Sequence, residues 1–296
     1  MEIKTRSEFP LPDFGFYIGI DGHAATVAAI HAVLEVLPIR DRWCVEFGAW
    51  DGLVGSTSRE LIFNHGYSAV LIEGDEAKFT DLSRNYAASP HVITRNQFVG
   101  FDEPSGLDAI LSDTPIPTDF DLLTVDIDGN DYHVWQAVRR YTPKIVMIEF
   151  NPTIPPEVSF TQPADAAVNQ GSSLAAIAEL AKRKNYELIS VIGVNAIFVR
   201  QEFFAHYGIS DNRIEVLWTK RDCITYFFTG YDGQVFLDGC KKLPWHESMP
   251  FSEKATQVLP RFARGYPFTR KKRIIQELAT NPRAVLKKLF NRLLKG

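Results

Sequence analysis

Short apolar runs alternating with helical stretches constrain this chain more than any other feature. Trp43 to Gly48 (WCVEFG), Ala69 to Gly74 (AVLIEG), His91 to Arg95 (HVITR), Asp121 to Asp128 (DLLTVDID) and Lys144 to Phe150 (KIVMIEF) each read as a strand. Between them lie helical patterns from about Ser56 to His65, closed by Gly66, from Glu76 to Tyr86, and from Tyr132 to Arg140. Strands that stay apolar on both faces need cover on both faces, so this alternation predicts a doubly wound, mostly parallel sheet. A further helix, capped by Ser172 or Ser173, shows an apolar face through Leu174, Ile177, Ala178 and Ala181. It precedes two strands, Glu187 to Ile192 and Ala196 to Arg200, that can close the sheet as a hairpin, giving seven strands. Ahead of the sheet, Ala24 to Leu37 places Val27, Ile30, Val33 and Leu34 on one face of an amphipathic helix.

The loop after the first strand carries the strongest chemical signal. Val45-Glu46-Phe47-Gly48-Ala49-Trp50-Asp51-Gly52 is an acid-x-Gly-x-x-x-Gly pattern between a strand and a helix, where glycines let the backbone approach a ligand and accept positive φ. A dinucleotide site calls for GxGxxG. Here the spacing differs and an acid opens the motif. A carboxylate at Glu46 repels a pyrophosphate and attracts an ammonium, which favours S-adenosylmethionine over NAD. Glu73, ending the second strand about 20 residues on, can accept hydrogen bonds from both ribose hydroxyls. Either acid alone can instead cap a helix.

Glu46-x-Gly48-x-x-x-Gly52 followed by Leu71-Ile72-Glu73-Gly74 resembles the first two motifs of class I methyltransferases. The segments Asp126 to Trp135 (DIDGNDYHVW), Pro143 to Pro152 (PKIVMIEFNP), Asn185 to Leu188 and Asn195 to Arg200 resemble the FkbM-type subgroup, over roughly residues 40 to 205. The resemblance implies a Rossmann-like fold and a transferase using S-adenosylmethionine. It points to O-methylation of a sugar or polyol hydroxyl, a glycan modification, with a small molecule or glycan as acceptor. Candidate cofactor-binding residues are Glu46, Gly48, Asp51, Gly52, Glu73 and Asp126. Two rival readings remain open: a non-catalytic nucleotide-fold binding or scaffold protein, and an NAD-dependent oxidoreductase acting on nucleotide sugars. The latter lacks an evident Tyr-x-x-x-Lys pair.

Ligands of open α/β sheets bind beyond the carboxyl ends of the strands, which places Asp126, Asp128 and Asp131 in one crevice with Glu149 and Asn151. Such carboxylates repel one another unless a hard cation or counter-charges join them, and oxygen ligands suit Mg²⁺ or Ca²⁺ better than zinc. Metal-dependent catechol-type O-methyltransferases hold magnesium in a similar way, so Asp126, Glu149 and Asn151 are the expected magnesium ligands. Asp131 can equally cap the following helix. An EF-hand is excluded, because its twelfth position, counted from Asp126, is Ala137. Asp126, Asp128 and His133 are the candidate catalytic groups, His133 as a general base or simply a surface histidine.

Charge is unevenly spread. The net charge is −4, yet residues 261 to 296 hold 11 Lys/Arg against one acid, Glu277, leaving 21 basic and 35 acidic residues, or −14, in the first 260. An acidic body argues against nucleic-acid binding. In the tail, Asn281-Pro282 reads as a helix start. Val285, Leu286, Leu289, Phe290, Leu293 and Leu294 then form an apolar face flanked by Arg283, Lys287, Lys288, Arg292 and Lys295. With Arg270, Lys271, Lys272 and Arg273, this basic helix suits peripheral contact with an anionic membrane, docking on the acidic body, or a homo-oligomer. Three scattered cysteines, no signal pattern and no long apolar run give a cytoplasmic protein, or one at the inner face of a membrane, as the expectation. The expected organisation is an N-terminal helical extension (1–40), a methyltransferase domain (41–202), a variable region of unread fold that can cover the substrate (203–260) and the basic tail (261–296).

Overall fold

The computed structural model describes residues 20–283 and 287. The chain divides into two compact units, Met1–Arg221 and Asp222–Gly296. The first is built on a seven-stranded sheet of β1 (Trp43–Phe47), β2 (Ser68–Glu73), β3 (Val92–Asn96), β4 (Leu122–Val125), β5 (Ile145–Glu149), β6 (Tyr186–Ile192) and β7 (Asn195–Arg200). Their order is β3-β2-β1-β4-β5-β7-β6; the first five are parallel, and β7 runs antiparallel to both β5 and β6. This is the Rossmann-like, seven-stranded and mostly parallel architecture implied by the sequence. The central strands β1, β4 and β5 are buried nearly throughout, which is why they read as unbroken apolar runs.

Helices α1 (Ile20–Val36), α2 (Arg59–His65), α3 (Glu76–Asn85), α4 (Leu107–Leu111), α5 (Asp131–Ala137) and α6 (Leu174–Arg183) accompany the sheet. Ala29, Ile30, Val33 and Leu34 of α1 join Leu61, Leu71, Met147 and Ile197 in one apolar cluster, which seats this helix on the domain. Val27, expected on that face, is only half-buried; Ala29 takes the inward place. Of the two candidate caps for α6, Ser173 serves, accepting from the Ala176 N–H at 3.2 Å, while the Ser172 hydroxyl accepts from Gln162 N.

Two helices are shorter than their apolar patterns predict, each for a visible reason. α2 begins at Arg59 rather than Ser56, because Ser56, Thr57 and Ser58 spend their donors on Glu46. α5 stops at Ala137, since the Asp108 carboxylate, on the unforeseen α4, accepts from the N–H groups of Arg139 and Arg140 at 2.7 and 2.9 Å. At the amino ends of β4 and β5, Lys144 Nζ lies 2.8 Å from both Asp121 and Asp41. Asp121 also accepts from the N–H groups of Asp41 and Arg42. This ion group, with Lys144 and Asp121 buried, ties the start of the sheet together at the end opposite the crevice.

The second unit contains a hairpin of β8 (Thr225–Thr229) and β9 (Val235–Gly239), with Phe228 and Phe236 stacked at 5.4 Å, and a helix Arg270–Thr280 that carries Arg270 to Arg273 in its first turn. The amphipathic face expected over residues 285–294 lies outside the described residues. Among the described residues no helix is long and apolar enough to cross a membrane.

Candidate functional site

The carboxyl ends of β1, β2, β4 and β5 frame the crevice. Gly48, with φ +74°, lies so close to the β4 end that a Cβ there would sit 2.1 Å from the Asp126 carbonyl oxygen. Gly52, with φ +72°, is packed under the Tyr86 ring and Leu82. Both glycines are therefore fixed by close approach as well as by φ. Between them Trp50, a non-glycine residue, is also held at φ +52°, and its half-exposed ring lies 4.1 Å from Lys78 Nζ.

Glu46 and Glu73 hold this loop from two sides. The buried Glu46 carboxylate accepts from Ser56 Oγ (2.7 Å), Thr57 N (2.8 Å), Thr57 Oγ1 (3.0 Å) and Ser58 N (3.3 Å). All four partners belong to the chain itself, so the role seen for Glu46 is to clamp the loop onto β1. Glu73 accepts from Trp50 N at 2.8 Å through one oxygen and from Asp75 N at 2.7 Å through the other, which leaves each oxygen a second lone pair. Asp51 accepts from the N–H groups of Leu53 and Val54, and these bonds hold its pKa below the usual carboxylate range against the opposing effect of desolvation. Phe98 stands exposed beyond β3 with its ring over Gly74, where a Cβ would meet it at 2.4 Å. Together Trp50, Glu73, Gly74 and Phe98 make a shelf with acidic and aromatic walls.

Across the crevice the acids converge. Oxygens of Asp126, Asp128 and Glu149 lie within 4.8 Å of one another. Asp126 is solvent-exposed, with its carboxyl close to several other acids. Desolvation there, with the charges of Asp131, Asp128 and Glu46, raises its pKa, and desolvation with Asp126 raises that of Glu149. Each of these neighbouring carboxyls makes ionisation of the other less favourable. Asp128 adopts φ +55°, a left-handed conformation that non-glycine residues seldom take. Asp131, by contrast, is engaged by its own turn. Its two oxygens accept from Ile127 N and Gly129 N at 2.9 Å, so it fixes the turn and begins α5, and burial pushes it up to about 6.

Asn151, expected beside Glu149, is turned elsewhere. Its amide donates to the Gln170 carbonyl at 2.7 Å, and its oxygen accepts from the Thr153 N–H and hydroxyl. Asp128 takes its place in the acidic trio. His133 is half-buried, with Nε2 2.8 Å from the Gln162 carbonyl oxygen. A carbonyl only accepts, so Nε2 carries the hydrogen and Nδ1 is the basic nitrogen. Sequence reasoning missed Gln162. Its buried side chain donates to Val168 O and accepts from the N–H groups of Gln170 and Gly171, shaping the loop after β5 that packs against Gly129.

No family model matches the chain, and no curated protein matches it. Solved structures give distant likenesses. The N-terminal domain of EvdMO1 with SAH bound is 12% identical, with 59% of this chain and 78% of that chain covered and a TM-score of 0.37. A putative sarcosine dimethylglycine methyltransferase from Galdieria sulphuraria is 13% identical, covering 55% and 60%, with a TM-score of 0.36. A SAM-dependent methyltransferase from Aquifex aeolicus is 10% identical, covering 57% and 87%, with a TM-score of 0.34. The chain thus spans less than two thirds of the Galdieria protein.

Proposed function

We propose that this chain is a methyltransferase that uses S-adenosylmethionine and methylates a hydroxyl of a sugar or other polyol. The observation that carries this reading is the crevice itself: a glycine loop pressed against the β4 end, a β2-terminal carboxylate with free lone pairs, and an acidic trio opposite. The donor supplies an electrophilic methyl group on a sulfonium. Glu73 would accept hydrogen bonds from the ribose hydroxyls, Gly48 and Gly52 let the loop pack closely on the β4 end and on Tyr86 and so keep its course beside Glu73, and Trp50 and Phe98 are the exposed rings that would be available to the base. Methyl transfer from a sulfonium needs chiefly alignment, so the remaining task is to orient the acceptor and take its proton. Asp126, in its ionised form beside Glu149, accepts that proton; Nδ1 of His133 is a second candidate base.

The trio also fits a hard divalent ion. Three carboxylates presenting oxygens within 4.8 Å of one another are donors of the kind Mg²⁺ takes, with Asp126, Asp128 and Glu149 as holders in place of the Asn151 set. Such an ion would lower the pKa of an acceptor hydroxyl. The test is formation of S-adenosylhomocysteine, followed by mass spectrometry, over a panel of sugars and polyols with and without Mg²⁺. A hydroxyl-methylated product, lost in Asp126→Asn, is expected. Turnover confined to nitrogen or carbon acceptors, or none with any acceptor, contradicts the reading.

A further inference from the structure

On α1 and α2, away from the strand ends, a second group of metal-binding side chains comes together. His31, Glu60 and His65 each present a donor atom within 4.8 Å of the others. The two imidazoles meet edge to face with centroids 4.5 Å apart, and His31 Nε2 lies 3.9 Å from the Glu60 carboxylate. His31 Nε2 is buried and has no hydrogen-bond partner, an uncommon state for a polar atom. His31 and Glu60 also line a recess of about 660 Å³, into which His23, two turns earlier on α1, projects.

We propose that His31, Glu60 and His65 form a zinc site that joins α1 to α2, with the fourth position open to the recess. Two imidazoles and one carboxylate with an open position are a zinc donor set, and imidazole nitrogen disfavours Mg²⁺ and Ca²⁺. Tetrahedral bonds of about 2.0–2.2 Å bring donor atoms closer than the distances seen here. The closure is small, because Glu60 and His65 are exposed and free to change rotamer. Zinc here also bears on the crevice. α2 starts directly after Ser56, Thr57 and Ser58, the residues that Glu46 clamps, so the ion fastens the far end of the same loop.

The test uses the full chain without an affinity tag, titrated with Zn²⁺ and, for the visible d–d spectrum, with Co²⁺. One ion per chain is expected in Asp126→Asn, where the acidic trio is disabled, together with a rise in melting temperature. His65→Ala and Glu60→Gln should each weaken binding at least tenfold and lose the Co²⁺ bands, while melting like the parent without metal, since both side chains are exposed. Asp126→Asn should leave zinc binding unchanged. Absence of stoichiometric binding, binding unaltered in both helix variants, or binding lost in Asp126→Asn overturns the site.

Discussion

Replacing Glu46 by Gln tests whether this acid is the clamp of the glycine loop. Four donors converge on its carboxylate, two of them hydroxyls that can rotate and two of them backbone N–H groups that cannot: Thr57 N to one oxygen and Ser58 N to the other. Glutamine keeps the size but turns one oxygen into an NH₂, which must then face one of those N–H groups. One charge-assisted bond is lost, a buried donor goes unpaired, and the remaining bonds lose their ionic partner. Hydrogen bonds to charged groups contribute about 1.5–3 kcal/mol each, so Glu46→Gln should destabilise the protein by about 2–3 kcal/mol. Glu46→Ala, which strands all four donors, should cost about 3–5 kcal/mol. Urea denaturation followed by circular dichroism measures this as a lower midpoint at unchanged slope. Affinity for S-adenosylmethionine should fall too, because Gly48 to Gly52 lie within the clamped loop. A Glu46→Gln protein within about 0.5 kcal/mol of the parent, a surface-type effect, would refute the argument that Glu46 acts on its own loop.

Three further outcomes follow from the same geometry. Asp126 and Glu149 have raised pKa values, so the folded state binds more protons than the unfolded one above the ordinary carboxylate range. Their contribution is fully present below about pH 4 and is lost as pH rises through neutrality and beyond. A tenfold change in proton affinity is worth about 1.4 kcal/mol, discounted for solvent screening at exposed Asp126. Glu149→Gln should therefore stabilise the protein by about 1–2 kcal/mol at pH 8 and by nearly nothing at pH 4, read from paired melts. Lys144→Ala leaves the buried Asp121 carboxylate without its cation. It should cost about 3–5 kcal/mol while leaving cofactor affinity of the folded protein unchanged, since the pair sits at the other end of the strands. Gly48→Ala, with its added carbon 2.1 Å from the Asp126 carbonyl oxygen and a φ that disfavours side chains by about 1–2 kcal/mol, should weaken S-adenosylmethionine binding at least tenfold in calorimetry.

The sheet was legible in the sequence because strands buried on both faces leave continuous apolar runs, and the breaks between those runs mark the helices. Only short-range chemistry shifted the ends: Glu46 delays α2, and Asp108 ends α5 early, through partners that periodicity does not reveal. Asn151 illustrates a limit of alternation. β5 ends at Glu149, and once the chain leaves the sheet Thr153 and Gln170 decide where that amide points. His31 and His65 are 34 positions apart in sequence and meet only because the fold brings this part of α1 to the end of α2. The β8–β9 hairpin escaped notice because most of β8 is exposed, so its aromatic residues show no buried-exposed alternation.

The most direct test of the central claim is isothermal calorimetry of the full chain with S-adenosylmethionine, S-adenosylhomocysteine and NAD, repeated for Glu73→Ala. One molecule of either adenosyl compound per chain, bound in the micromolar range and at least tenfold more weakly by the variant, is the predicted result. Binding of NAD in preference, or of none of the three, would contradict it.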